Sequence, residues 1–429
     1  MESALAKCAC AALIILSQLY GYHFFALRLK QQPLKRILKV VYILFNLAGF
    51  SAFILIQVLK ERPPSGFLYD YVLLPGIIWQ SAQLISLLPA IALQLIVALF
   101  SFFWLKREPK GLPKLFRDKK PSYSLLNPVG LLIIAFLVMG VFSYLAERDT
   151  PVINTITLEY PGLPPQLEGF TILLVSDLHY GRGATMDGLK NLINEIVKLS
   201  PKLVILAGDI SDCSPQNVTD LKDPLLRLKN TPFGVYSVLG DRDLEADSQG
   251  TLSQVLTSAG VSQLADKRVL IHGAPLTLIG FSQKKGAQND LFPLDNLWPI
   301  DFLGTEMPLD FAALSGPIPP VDNFTIVVSH IPGKMPEKKD DEIDLYLAGH
   351  TRGGQFQVPG KKDLNLAHPF FSHSSGHYRE ENMDILVTRG VSDSFLHYRL
   401  FAWPEVNLIT LKRKGPPRPE PGDSFGAPL

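Results

Sequence analysis

Five times beyond Pro151, the chain runs a short β-branched or apolar segment straight into an Asp or His beside glycine or another small residue. Thr171–Ser176 leads into Asp177-Leu178-His179, Leu203–Ala207 into Gly208-Asp209-Ile210-Ser211-Asp212, and Val235–Leu239 into Gly240-Asp241-Arg242-Asp243. Further on, Phe324–Ser329 leads into His330, and Leu345–Ala348 into Gly349-His350-Thr351-Arg352. Such runs read as buried strands, and a helical pattern separates some of them, at Met186–Leu199 and Asp220–Asn230. Strands joined by helices are parallel and deliver their C-terminal ends to one sheet edge, where α/β proteins place their sites. Taken singly, each residue reads as an ordinary loop acid or surface histidine; the ordered series of five does not.

Carboxylate and imidazole together suit hard or borderline divalent ions, and the absence of cysteine from the series argues against a structural zinc knot. In Asp177-x-His179 the two side chains can lie on one side of an extended chain and grip one ion. Glycines beside Asp209, Asp241 and His350 allow the close backbone approach that a crowded ion site needs.

The first third of the 429 residues is different in kind. Cys8–Leu27, Val40–Leu59, Tyr71–Leu105 and Val129–Ala146 are each long and apolar enough for a bilayer span of about 20 residues, the third as one tilted helix bent near Pro89. Lys and Arg crowd the first and third loops, from Arg28 to Lys39 and from Lys106 to Lys120, whereas the second loop holds only Lys60 and Arg62. Basic loops stay cytoplasmic, so the N-terminus and everything after the fourth span are expected outside an inner or plasma membrane. The first span lacks a cleavage site and is read as retained. The expected organisation is a helical membrane segment over 1–150, a soluble α/β domain over 151–412 and a disordered tail over 413–429. A formal net charge of +1 offers no basic face for nucleic acid as a stable partner. Of three cysteines only Cys213 lies in the soluble domain, so that domain has no internal disulfide.

With these residues in hand, the chain resembles the calcineurin-like metallophosphoesterases, in particular their bacterial membrane-associated YkuE-type branch. The resemblance runs from about Ile153 to Leu411 and rests on SDLHYG at Ser176–Gly181, GDISD at Gly208–Asp212, SHIPG at Ser329–Gly333 and GHTRGGQ at Gly349–Gln355. VTRG at Val387–Gly390 and the closing RLFAWPEVNLITL at Arg399–Leu411 resemble the family's last strands. It implies a two-sheet αββα sandwich and a centre of one or two divalent ions (Mn, Fe, Zn or Mg) that activates water against a phosphorylated small-molecule or lipid substrate. By position, the first ion would be held by Asp177, His179 and Asp209, and the second by Asp209, Asp241, His330 and His350.

Three positions depart from the family pattern. Asp241 and Arg242 stand where Gly-Asn-His is usual after the third strand, and Arg352 replaces the second histidine of Gly-His-x-His. A guanidinium releases no proton near neutral pH, so Arg242 cannot be the family's proton donor. The expectation is one firm ion on the side of Asp209, Asp241, His330 and His350, with Arg242 and Arg352 as catalytic electrophiles toward phosphate. The competing expectation is a catalytically impaired relative that binds phosphate or serves as a scaffold. The Pro- and Leu-rich stretch from Lys284 to Pro320 reads as a lid or covering insertion, and His368, His373 and His377 as surface histidines.

Overall fold

The computed structural model describes residues 151–415 except 182–183, 213–214, 247–249, 283–308, 321, 335–342 and 393–398, together with some helical residues between Arg36 and Ser51. Three of the four apolar stretches lie outside the described residues; the second is helical where it is described, with Val40, Ile43, Leu44 and Leu47 exposed. Among the described residues no helix is long and apolar enough to cross a membrane. Most of the Lys284–Pro320 stretch, Cys213 and residues 416–429 also lie outside them.

Two six-stranded sheets make the architecture. The first runs in the order β1 (Val152–Tyr160), β14 (Glu405–Arg413), β2 (Phe170–Val175), β3 (Leu203–Ala207), β4 (Val235–Val238) and β5 (Val261–Gln263). The second runs β12 (Gly376–Glu380), β13 (Met383–Val387), β9 (Leu345–Ala348), β8 (Phe324–Ser329), β7 (Leu276–Phe281) and β6 (Lys267–Leu270). Strands β2 through β5 are parallel in the first sheet, and β7, β8, β9 and β13 in the second. β14, last in the chain, closes beside the first strand and pairs antiparallel with β2.

Alternation along the strands builds the layers. Ile172, Leu174, Leu203 and Ile205 of the first sheet share a buried core with Leu278, Ile326, Val328, Leu345 and Leu347 of the second. Their neighbours Leu173, Val175, Val204 and Leu206 point the other way, into a second core completed by helices α1 (Met186–Leu199) and α5 (Thr251–Ser258). Apolar runs without polar breaks are what strands covered on both faces require, and each such side chain contributes roughly 1.5–3 kcal/mol on burial. Leu189, Leu192, Ile193 and Ile196 form the buried stripe of α1, whose N-cap Thr185 accepts from Gly188 N–H at 3.2 Å.

The helix expected over Asp220–Asn230 is shorter than its pattern suggests: a 3-10 turn, Thr219–Leu221, precedes a single α-turn, Lys222–Leu226. Pro224 has no N–H to give to the carbonyl of Asp220, so an α-helix cannot run unbroken from that residue. Five of the residues at the strand ends, Asp177 (φ 55°), His179 (45°), Asp209 (52°), His350 (66°) and Arg352 (50°), adopt left-handed backbone. That conformation is uncommon for residues other than glycine and persists where the surrounding fold enforces it.

Candidate metal centre

The C-terminal ends of β2, β3 and β4 meet those of β8 and β9, and every residue expected at the site arrives there. β2 delivers Asp177 and His179, β3 delivers Asp209, and the turn from β4 into α4 (Asp241–Ala246) delivers Asp241 and Arg242. From the second sheet β8 supplies His330, and β9 supplies His350 and Arg352. Asp241 is partly exposed, while the side chains of Asp177, His179, Asp209, His330, His350 and Arg352 are buried.

Asp209, Asp241, His330 and His350 each place a ligand-type atom within 4.8 Å of the others. His330 Nε2 stands 3.1 Å from Asp209 Oδ2 and 3.3 Å from Asp241 Oδ1, and His350 Nδ1 stands 3.6 Å from Asp241 Oδ1. Asp209 Oδ2, Asp241 Oδ1, His330 Nε2 and both His350 ring nitrogens are buried without a hydrogen-bond partner. Burying polar atoms in this way is costly unless something binds them, and lone pairs converging from four side chains match a cation. His330 Nδ1 lies 2.7 Å from the Ala207 carbonyl, to which its N–H donates, so Nε2 is the nitrogen that faces the cluster and would ligate once without its proton. Burial works against a charged His330, but the carboxylates, Asp209 foremost, outweigh it and raise the ring well above the ordinary histidine value. Burial likewise pushes Asp241 up, yet His330, His350 and Arg242 together hold its carboxyl well below the usual range. This half of the site therefore fits a divalent ion.

Asp177, His179 and Asp209 form a second group of the same compactness, but Asp177 and His179 are already engaged. The Arg352 guanidinium places Nη2 2.6 Å from His179 Nε2 and 3.8 Å from Asp209 Oδ2, and Nε 3.5 Å from Asp177 Oδ1. Asp177 Oδ2 accepts from Ser176 Oγ at 2.6 Å and from His350 N–H at 3.1 Å. Burial disfavours a charged His179, Asp212 beside Nδ1 at 3.0 Å favours one, and the Arg352 guanidinium opposes it again. Arg352 can only donate across its short contact, so the geometry holds the ring neutral, Nδ1–H on Asp212 and the Nε2 lone pair on the guanidinium. The phosphate-facing role expected for Arg352 is therefore not the one its position favours, since its side chain is buried and turned onto this trio. Arg242 lies closer to the open side, 8 % exposed, with its Nε 3.9 Å from Asp241 Oδ2.

Two acids escaped the sequence reading although both stand inside its motifs. Asp212 orients His179. Asp243 ties two loops together: its Oδ1 accepts from Ile210 N–H at 2.8 Å and Ser211 N–H at 2.9 Å, and its Oδ2 from Gly240 N–H at 2.9 Å. A second acid within three residues of each ligand was the signal. Glycine is obligatory at two contacts here. A Cβ on Gly240 would lie 2.1 Å from Asp209 Oδ1, and one on Gly390 (φ 67°), just after β13, would lie 2.6 Å from Asp177 Cβ.

Residues 170–352, which span all of these strand ends, match the family model of the calcineurin-like phosphoesterases. The chain carries a calcineurin-like metallophosphoesterase domain. YkuE, a metallophosphoesterase of Bacillus subtilis, is 28% identical over 280 residues, covering 64% of this chain and 90% of the relative. A transmembrane protein with a metallophosphoesterase domain from Danio rerio is 26% identical over 292 residues; these make up 66% of this chain, which spans only 62% of that relative. The phosphodiesterase YaeI of Escherichia coli is 26% identical over 250 residues, covering 56% of this chain and 82% of the relative. The metallophosphoesterase domain is that of a metal-dependent phosphoesterase, and its strand ends carry candidate ligand groups for divalent ions.

Proposed function

We propose that the protein hydrolyses a phosphomonoester, phosphodiester or pyrophosphate bond at a divalent ion held by Asp209, Asp241, His330 and His350. The observation that carries this reading is the set of four buried ligand-type atoms, Asp209 Oδ2, Asp241 Oδ1, His330 Nε2 and His350 Nδ1, that have no hydrogen-bond partner and stand beside one another. When bound, the ion would polarise the phosphoryl group and make water a better nucleophile near neutral pH. Asp243 and the Gly240 contact hold the Asp209 and Asp241 loops in place, and the Ala207 carbonyl fixes His330 in the ligating tautomer. Arg242, beside Asp241 on the more open side, is suited to grip phosphate oxygens as charge builds on them. It cannot donate a proton to the leaving group, which favours substrates whose leaving oxygen needs little protonation.

The apolar stretches before Pro151 support an anchor for the catalytic domain, and so do relatives named as transmembrane proteins. In this reading the chain has four spans over 1–150, the catalytic domain over 151–412 faces the exterior, and the substrate belongs to a lipid or cell-envelope precursor. Anchoring confines the site to the bilayer surface, where such substrates concentrate.

The test uses the full chain purified in detergent. Elemental analysis and assays with mono- and diester substrates under added manganese should find bound ion and turnover. Both should vanish in Asp209→Asn and His330→Ala. Failure to bind any divalent ion would sink the proposal, whereas ion binding with no hydrolysis of any phosphate ester would favour the scaffold reading, which the missing proton donor at Arg242 supports. For sidedness, a cysteine placed at exposed Asp223 in a chain stripped of its own cysteines should react with an impermeant thiol reagent on intact cells; labelling only after lysis would reverse the orientation.

A further inference from the structure

Resting on the metal-centre reading above, we propose that the Arg352 guanidinium is itself the cation of the Asp177, His179 and Asp209 trio, so that this centre is built to hold a single metal ion. All three side chains turn toward the guanidinium: Nη2 reaches His179 Nε2 at 2.6 Å and lies 3.8 Å from Asp209 Oδ2, with Nε 3.5 Å from Asp177 Oδ1. The His179 Nε2 lone pair, which would otherwise face an ion, accepts a hydrogen bond from the Arg352 Nη2–H, and Asp212 on the far nitrogen strengthens that acceptor.

The unpartnered atoms divide the site unevenly. Those of the Asp209, Asp241, His330 and His350 group include both nitrogens of His350 and Nε2 of His330, whereas neither Asp177 nor His179 contributes one. Within the shared residue Asp209, Oδ1 accepts from Arg242 N–H at 3.0 Å, and the orphaned Oδ2 stands between the two groups, nearer to His330 Nε2 at 3.1 Å than to Arg352 Nη2 at 3.8 Å. One half thus lacks a cation and the other already contains one.

Charge gives the same division. Asp177, Asp209, Asp212 and Asp241 bring four negative charges, which the guanidiniums of Arg242 and Arg352 and one divalent ion balance. A second divalent ion would leave this buried pocket strongly positive and would have to share His179 and Asp177 with an arginine that has no solvent to move into, its side chain being fully buried. Asp241 belongs to the same adjustment, because a carboxylate there strengthens the hold on the one remaining ion. The backbone is set for this arrangement. Arg352 opens a short 3-10 turn in left-handed geometry (φ 50°), with Thr351 anchored by its hydroxyl to the Ser374 carbonyl at 2.7 Å, and this conformation sends the side chain inward.

The experiment counts manganese on the full chain in detergent and reads its electron paramagnetic resonance spectrum. The wild type should bind one ion per chain and give the spectrum of an isolated ion. Arg352→His, which supplies an imidazole in place of the guanidinium, should bind two and show spin coupling between them. Asp177→Asn should still bind one, because Asp177 serves the arginine and not the metal. Two coupled ions in the wild type would overturn the inference and leave the metal-centre reading intact. So would loss of the ion in Asp177→Asn, or a folded Arg352→His chain that stays at one ion under saturating manganese. A wild type that binds no ion overturns the underlying reading instead. Should Arg352→His fail to fold, wild-type stoichiometry and Asp177→Asn still decide.

Discussion

Replacing Asp243 with Asn changes one atom of a side chain that is fully buried and that ties the Asp209 loop to the Asp241 turn. An amide can keep one oxygen toward Ile210 and Ser211, but its NH2 then faces the Gly240 N–H, donor against donor. One bond to a charged acceptor is lost, about 1.5–3 kcal/mol, and a buried N–H is left unmet at about 1–3 kcal/mol. Against this, burial and then the Asp209 charge already push the Asp243 carboxyl up to about 7, so the buried anion carries a cost that the amide escapes. The net loss should fall near the lower end, about 3 kcal/mol, which at about 2–4 °C per kcal/mol for a domain of this size predicts a drop of roughly 6–12 °C in Tm. Thermal unfolding of the full chain in detergent and chelator, followed by tryptophan fluorescence, measures it against the exposed control Asp223→Asn, expected within about 0.5 kcal/mol of wild type. Manganese affinity should fall as well, since both tied loops carry ligands. A variant that melts within about 2 °C of wild type and binds manganese equally well would refute the argument that Asp243 holds the centre together.

Ion binding should release protons, because the neighbouring carboxylates hold His330 protonated well above the ordinary histidine value and ligation needs its lone pair. Affinity should therefore rise with pH above about 6.5, and calorimetry in buffers of different ionisation heat would count the protons; a pH-independent affinity would contradict this. In the metal-free chain Asp177 is held well below the usual carboxylate range: burial pushes it up, but its cationic surroundings, the Arg352 guanidinium among them, outweigh that. A depressed folded value gives stability that is complete above about pH 4 and is lost as the pH falls further, so acid unfolding should begin below that point, and earlier in Arg352→Gln. Gly240→Ala should abolish manganese binding, since its Cβ would meet Asp209 Oδ1 at 2.1 Å; retained affinity would mean that the turn yields more than its packing implies.

Much of this was readable one residue at a time. The apolar runs β3, β8 and β9 begin and end where the sequence pattern placed them, because strands covered on both faces admit few polar residues and the first Asp, His or Gly afterward ends the burial. The six ligand-type residues were legible for the same reason: each stands at a strand end, and parallel strands share an edge. The helix beyond Asp220 was misread because periodicity carries no record of which N–H a proline removes. Asp212 and Asp243 were seen as letters of a motif but not as a tether and an orienting partner, since those roles depend on loops that meet only when the strands align.

Which side chains could reach the sheet edge, how many charges they would bring, and that two arginines stand among them all follow from the order of residues alone. Which way each one faces follows from how distant loops and strands pack. Arg242 and Arg352 look alike in the chain, each following shortly after a glycine and a ligand, yet one lies toward the open side and the other is shut in between Asp177, His179 and Asp209. The difference comes from a backbone turned left-handed at Arg352 and a packed interior that holds its guanidinium against Asp177, His179 and Asp209. Such directions are set by contacts between segments more than a hundred residues apart, and local residue patterns hold no trace of them.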